Sequence, residues 1–266
     1  MRTIILDTYG LVNILLDEWR KRRCRGEVII GEETRIDLSK TVRATYVMSL
    51  KDMEKIKLWI VKQCKRKNQP QPVHLSPYVL TCSFIWVCYV RAQTQVGAFG
   101  NEKYCSLEDN PLYFGFIAGG LTRLNYSIPP TYVGNCVGFG RPEARLNELI
   151  GEDGIIVAAN LIGNKIKELD RAMFMRADKW ISDWEELIGS ELHLIAVGSP
   201  KLDLYNTDFG WGRAEKIEEI SIDSMRAISL TESRDMEGGI EIGLTLPKPN
   251  MDAFNSRFYN LLSSLQ

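Results

Sequence analysis

Between Ser76-Pro77 and Arg91 lies the longest largely apolar run of the chain, Tyr78 to Val90. Serine followed by proline reads as a helix cap with proline at the first helical position, where an N–H would have no partner anyway. A helix this apolar has to be covered on nearly every side. The run is also too short for a bilayer, which needs about 20 apolar residues. It therefore predicts a helix buried in a core, and the rest of the fold has to be built around it. Cys82 and Cys88 fall inside this helix, where cysteine acts as a small hydrophobe.

The flanking sequence supplies the partners. Val42 to Met48 alternates and is rich in β-branched residues, which predicts a strand. Ser49 caps a following helix, Leu50 to about Cys64, with Asp52 as the capping-box acid. Leu11 to Arg23 reads as a helix whose last turn, Arg20 to Arg23, is basic and suits the helix dipole. Lys65 to Val73 is a polar loop containing prolines, and Pro129-Pro130 breaks the chain again. Tyr113 to Ile117 and Leu192 to Val197 read as strands, the second buried, and Gly154 to Asp178 with Lys179 to Leu187 as helical. Three further strands are expected at Ile217 to Ile222, Ala227 to Leu230 and Ile240 to Leu246. A closing helix, Met251 to Leu262, takes Asn250 as its cap and puts Phe254, Phe258 and Leu261 on one face. Helices alternating with strands give a mixed α/β class, a sheet with flanking helices.

Several function classes are disfavoured. A formal net charge of -1 offers no electrostatic case for nucleic acid or an anionic membrane. The six cysteines form no C-x-x-C pair, and with two histidines they give no metal-ligand spacing. Free cysteines point to a reducing compartment, with the cytoplasm as default. The opening residues meet an acid at Asp7 and do not read as a secretory signal.

One segment carries chemistry-specific information: Tyr205-Asn206-Thr207-Asp208-Phe209-Gly210-Trp211-Gly212-Arg213. Its D-F-G-W-G core resembles the signature of the plant BAHD acyl-CoA-dependent acyltransferases. Three other stretches agree in order: Leu75 to Ala92; Arg123-Leu124 with Ile128-Pro129-Pro130-Thr131-Tyr132-Val133-Gly134-Asn135-Cys136; and Gly151 to Gly154. The second of these resembles the branch that acylates sugars on anthocyanins, flavonoids and phenolic glucosides, with Val133 where that branch has phenylalanine.

The resemblance implies the carboxyl-terminal domain of a two-domain, chloramphenicol acetyltransferase-like fold, with the amino-terminal domain largely missing. Residues 1–38 would be a remnant of that domain and the start of the crossover. Residues 39–204 with 230–266 would form the acyltransferase-like domain, and 205–229 would cross to the absent half. The family reaction moves an acyl group from acyl-CoA to a hydroxyl, with the histidine of H-x-x-x-D as general base. Malonyl-CoA is the favoured co-substrate, hydroxycinnamoyl-CoA the next. Neither His74-Leu75-Ser76-Pro77-Tyr78 nor His193-Leu194-Ile195-Ala196-Val197 has an acid four residues on, so no catalytic residue is assigned.

The motif residues Asp208, Phe209, Gly210, Trp211 and Gly212 take a structural role by this resemblance, with Arg123 as the ion-pair partner of Asp208. Ser76, Thr81 and Trp211 are the candidates for touching acyl-CoA, although Ser76 is also explained as a helix cap. The expected partners are small molecules, acyl-CoA and a phenolic glucoside, together with a second copy of the chain or a complementing amino-terminal half. The competing readings are a non-catalytic binding or interaction protein that keeps part of the ligand surface, and a truncated gene product.

Overall fold

The structure, a computed structural model, describes residues 10–24, 38–97, 111–124, 128–129, 131–174, 176–190, 192–223 and 225–265. The opening residues, Pro130 and Cys105 lie outside them. In chain order the elements are α1 (Leu11–Cys24), β1 (Thr41–Met48), α2 (Leu50–Arg66), α3 (Pro77–Gln95) and β2 (Leu112–Gly119). Next come β3 (Val137–Gly140), β4 (Glu143–Ala144), α4 (Leu146–Ile150), α5 (Gly154–Ala172) and α6 (Trp180–Gly189). The chain then forms β5 (Leu194–Gly198), β6 (Ala227–Glu232), β7 (Ile240–Pro247) and α7 (Lys248–Ser264).

The strands make one mixed sheet in the order β1-β7-β6-β5-β2-β3, with β4 pairing β2. The two central pairings, β2 with β5 and β5 with β6, are parallel. The outer ones are antiparallel. A parallel pair has to be covered on both faces, and side-chain alternation supplies both covers. Leu112, Phe114 and Phe116 of β2, with Leu194 and Ala196 of β5, belong to the larger core. Tyr113 and Ile195 belong to a second cluster with Leu187, Ile222 and Ala227.

Helix α3 is the axis of the larger core. Its capping serine accepts a hydrogen bond from Val79 N, and Pro77 opens the first turn as expected. From Val79 to Val90 every residue is buried, against the sheet and helices α2, α5 and α7. Trp86 meets Phe114 of β2 at 5.5 Å between ring centroids. Helix α2 carries the expected reciprocal cap, with Asp52 N donating to Ser49 Oγ at 3.2 Å and Ser49 N to Asp52 Oδ2 at 3.0 Å.

Two local expectations are corrected. Ile217 to Ile222 is not a strand: it is irregular, ending in a single 3₁₀ turn, Ile220–Asp223. Arg43 of β1 holds it there through Glu218 and Asp223, each at 2.6 Å, and Thr245 Oγ1 donates to Asp223 at 2.7 Å. Asn250 is not a cap but lies inside α7, whose start is set by Pro247 at the N-cap and a proline in the first turn. Its buried amide donates instead to Gln93 Oε1 of α3 at 2.6 Å. The short elements β3, β4 and α4 were not anticipated from sequence.

Candidate functional site

Because β2, β5 and β6 run the same way, their carboxyl ends lie on one side of the sheet. In α/β proteins this is where ligands bind, since the loops there are free to vary while the strands hold them. Three of the sequence's candidate regions are at this end: the N-terminus of α3, the turn after β2 that contains Arg123, and the D-F-G-W-G loop between β5 and β6.

The loop is held at its base and open at its tip. Tyr205 is buried, and its backbone N donates to Glu232 Oε1 at 2.9 Å while its hydroxyl donates to Glu241 Oε2 at 2.8 Å. Those carboxylates sit at the end of β6 and the start of β7, so the loop is tied to the carboxyl edge of the sheet. Arg213 Nε returns to Tyr205 O at 3.3 Å, and its guanidinium lies over the Tyr205 ring. Between the ties, Phe209 is 80% and Trp211 93% exposed. Asp208 Oδ1 accepts from Gly210 N at 2.7 Å and Gly212 N at 2.9 Å. These N–H groups, Gly210 first, hold the carboxyl below its ordinary range. Gly210 and Gly212 have φ of 97° and 95°, the left-handed region that glycine alone enters freely.

The expected Arg123–Asp208 pair is therefore corrected. Arg123 donates to Asp170 Oδ1 of α5 at 2.8 Å and to Gly119 O at 2.6 Å. The carboxylate of Asp208 is occupied by its own loop, a shorter-range closure. Burial pushes Asp170 up, but the hydrogen bonds and charges of Arg123 and Lys167 outweigh it and hold the carboxyl low. Nothing in the sequence marked Asp170, which lies on an ordinary amphipathic helix far from Arg123 in the chain.

The Asp208 cap gives a local prediction. In Asp208→Ala the melting temperature should barely move, as for other exposed substitutions. The amide protons of Gly210 and Gly212 should lose hydrogen-exchange protection. Unprotected amides in the parent chain would show that the cap does not form.

The remaining candidates divide. Ser76 is half-buried and its hydroxyl is the α3 cap, accepting from Val79 N at 3.4 Å. Thr81 is fully buried, and its Oγ1 has no hydrogen-bond partner among the described residues. Five helical residues rotate it about 140° from Ser76, onto the core side of α3. Thr81 is thus not on a surface that a ligand reaches, which corrects that expectation. Trp211 is fully accessible. His74 is half-buried just before α3, and burial followed by the Lys167 charge lowers its pKa. His193 is buried just before β5, its Nδ1–H donating to Ser190 O at 2.7 Å. Among the described residues no cluster of histidine, cysteine or acids could hold a metal ion. No helix of the described residues is long and apolar enough to cross a membrane.

Comparison with known proteins places this geometry. A profile of the Transferase family matches residues 24–261. The chain is 33% identical over 220 residues to coumaroyl-CoA:anthocyanidin 3-O-glucoside-6''-O-coumaroyltransferase 1 of Arabidopsis thaliana, covering 81% of this chain and 45% of that one. It is 33% identical over 225 residues to phenolic glucoside malonyltransferase 2 of Arabidopsis thaliana, covering 84% and 46%. Malonyl-coenzyme:anthocyanin 5-O-glucoside-6'''-O-malonyltransferase of Salvia splendens is 35% identical over 221 residues, covering 82% and 43%. The chain thus spans about half the length of these relatives. Among solved structures, vinorine synthase superposes with a TM-score of 0.59 at 18% identity, over 84% of this chain and 48% of that one. F. graminearum TRI101, solved with coenzyme A and deoxynivalenol, superposes with a TM-score of 0.59 at 13% identity, over 92% and 62%, which shows the shared fold. With the profile covering almost the whole chain and relatives one-third identical across four-fifths of it, the chain belongs to the Transferase family, that of the BAHD acyltransferases.

Proposed function

We propose that this chain is the carboxyl-terminal half of an acyltransferase that moves an acyl group, malonyl first among donors, from acyl-CoA to a sugar hydroxyl of an anthocyanin, flavonoid or other phenolic glucoside. The observation that carries this reading is the set of relatives, about one-third identical, whose names specify glucoside acylation with coumaroyl-CoA or malonyl-coenzyme donors. In this reading 39–204 with 230–266 is the acyltransferase-like unit. The loop with Phe209 and Trp211 faces the complementary half, and its exposed aromatic tip supports that role.

The 266 residues contain no H-x-x-x-D, so in this reading they do not turn over alone. A positioned general base contributes about 10²- to 10⁴-fold. Acceptor positioning, shared with the other half, is worth up to about 7–11 kcal/mol of barrier. Neither histidine replaces the base. His193 is buried and turned to Ser190 O, and His74 has no acid four residues on to match the family's motif.

The test is a CoA-release and product assay with malonyl-CoA and coumaroyl-CoA against anthocyanidin and phenolic glucosides. The chain is assayed alone and with the amino-terminal half of the Salvia splendens relative supplied separately. No turnover alone, with turnover restored by the complement, is the expected result. Turnover by the chain alone overturns the assignment of the base to another segment. A soluble, associated pair that neither turns over nor binds acyl-CoA overturns the acyltransferase reading itself.

A further inference from the structure

At the opposite end of the sheet from the D-F-G-W-G loop, the last turns of α3 meet the β4–α4 region and α7. Two adjoining cavities of about 320 and 350 Å³ open there, and Arg91 and Glu152 line both. Arg257, Thr94 and Ile150 complete the second, while Arg66 and Lys67 from the end of α2 are among the residues that line the first. Among the described residues the two central guanidinium groups hydrogen-bond to neutral oxygens. Arg91 Nη2 donates to Gly151 O at 2.7 Å, and Arg257 Nε to Gln95 Oε1 at 2.9 Å. Arg91 Nε is buried with no partner among the described residues. Of the two nearby acids, Asp153 is taken by Lys67, whose Nζ donates to both carboxylate oxygens at 2.7 and 2.6 Å. Among the described residues Glu152 forms no ion pair with either arginine.

We propose that this cavity is a binding site for a phosphate-type oxyanion, held between the Arg91 and Arg257 guanidinium groups. Guanidinium carries its donors in a planar fork that matches the oxygens of phosphate. Burial and, with Cys88 opposing, the Arg257 charge lower the Arg91 pKa, and an anion between the two guanidinium groups would offset their repulsion. The site is separate from the D-F-G-W-G loop of the acyl-transfer reading, because it lies at the other end of the sheet from it. The shared chemistry is a phosphate dianion, whether free or as the terminal group of a phosphomonoester.

The test follows thermal unfolding of the whole chain during titration with sodium phosphate, against sodium chloride at matched ionic strength. A saturable rise in melting temperature beyond that in chloride is expected. Arg257→Gln, at an exposed position, should weaken the apparent phosphate affinity by about tenfold or more while leaving the melting temperature in chloride unchanged. Glu152→Gln removes the like charge from the rim and should tighten phosphate several-fold. A rise no larger than that in chloride, or one unaltered in both variants, overturns the site. In a second arm with phenyl phosphate, a matching rise assigns the site to phosphomonoesters, and no rise beside a retained phosphate response assigns it to the free ion.

Discussion

Phe258→Ala should lower the stability of the folded chain by about 3–5 kcal/mol, the range for removing a buried aromatic ring. The ring of Phe258 is where three elements meet. It lies 4.8 Å from Tyr46 of β1, 5.4 Å from Phe84 of α3 and 6.2 Å from Phe254 one turn earlier on α7, all between centroids. No neighbour collapses easily into the hole, because Tyr46 is already pinned edge-on to Phe254 at 5.1 Å, and its hydroxyl lies 3.4 Å from Met251 Sδ. Domains are stable by about 5–15 kcal/mol in all, so the variant is expected to unfold at a much lower urea concentration with an unchanged slope. Val133→Ala, at a position 92% exposed, serves as the control and should shift stability by less than about 0.5 kcal/mol. A loss below about 1 kcal/mol for Phe258→Ala would mean that α7 does not close the core as described.

The second large effect is acid-linked. Burial pushes the His193 imidazole down from its ordinary 6.5 to about 4, the Arg226 guanidinium adding to the effect while the bond to Ser190 O opposes it. Above pH 6.5 the ring is neutral in both the folded and unfolded chain and contributes nothing to the pH dependence. Below it the unfolded chain takes up a proton that the folded chain refuses until about pH 4, so stability falls as pH falls through this window. The full loss is about 3 kcal/mol. In His193→Gln that component should vanish. Urea unfolding of both proteins at intervals from pH 7 to 4 should give curves that converge or cross as the parent loses ground. Parallel curves would show that His193 takes its proton in the folded state as readily as in the unfolded one.

Much of the fold is written locally. Ser49 with Asp52, and Ser76 with Pro77, carry the starts of α2 and α3 in their own side chains. The apolar run behind Ser76 required the burial that α3 shows. The alternation in Val42 to Met48 was readable because the second half of that strand alternates between exposed and buried positions. Ile217 to Ile222 misled because its isoleucines are spaced like a strand's. What decides its path is Arg43, more than 170 residues away, and no local pattern reports a partner at that distance. The candidate site was legible in the same uneven way. Gly210 and Gly212 announce unusual backbone, and they have it. The partner of Arg123 was read from position in a motif, whereas geometry chose Asp170. The Tyr205 tie to Glu232 and Glu241 had no signature either, being two glutamates on strands whose other residues are mostly apolar.

The pairing of β1 with β7 runs their whole length, from Thr41 opposite Pro247 to Met48 opposite Ile240. Among the described residues β1 is an edge strand with no other neighbour in the sheet. On the ribosome it therefore emerges roughly 200 residues before the strand it joins, an interval of about 10–40 s at 5–20 residues per second. Throughout that wait its backbone donors and acceptors face solvent or whatever else is nearby. β2, β5 and β6 can assemble in the meantime around α3, but the sheet cannot be completed from the front. A nascent chain halted anywhere before Ile240 leaves β1 with nothing to join.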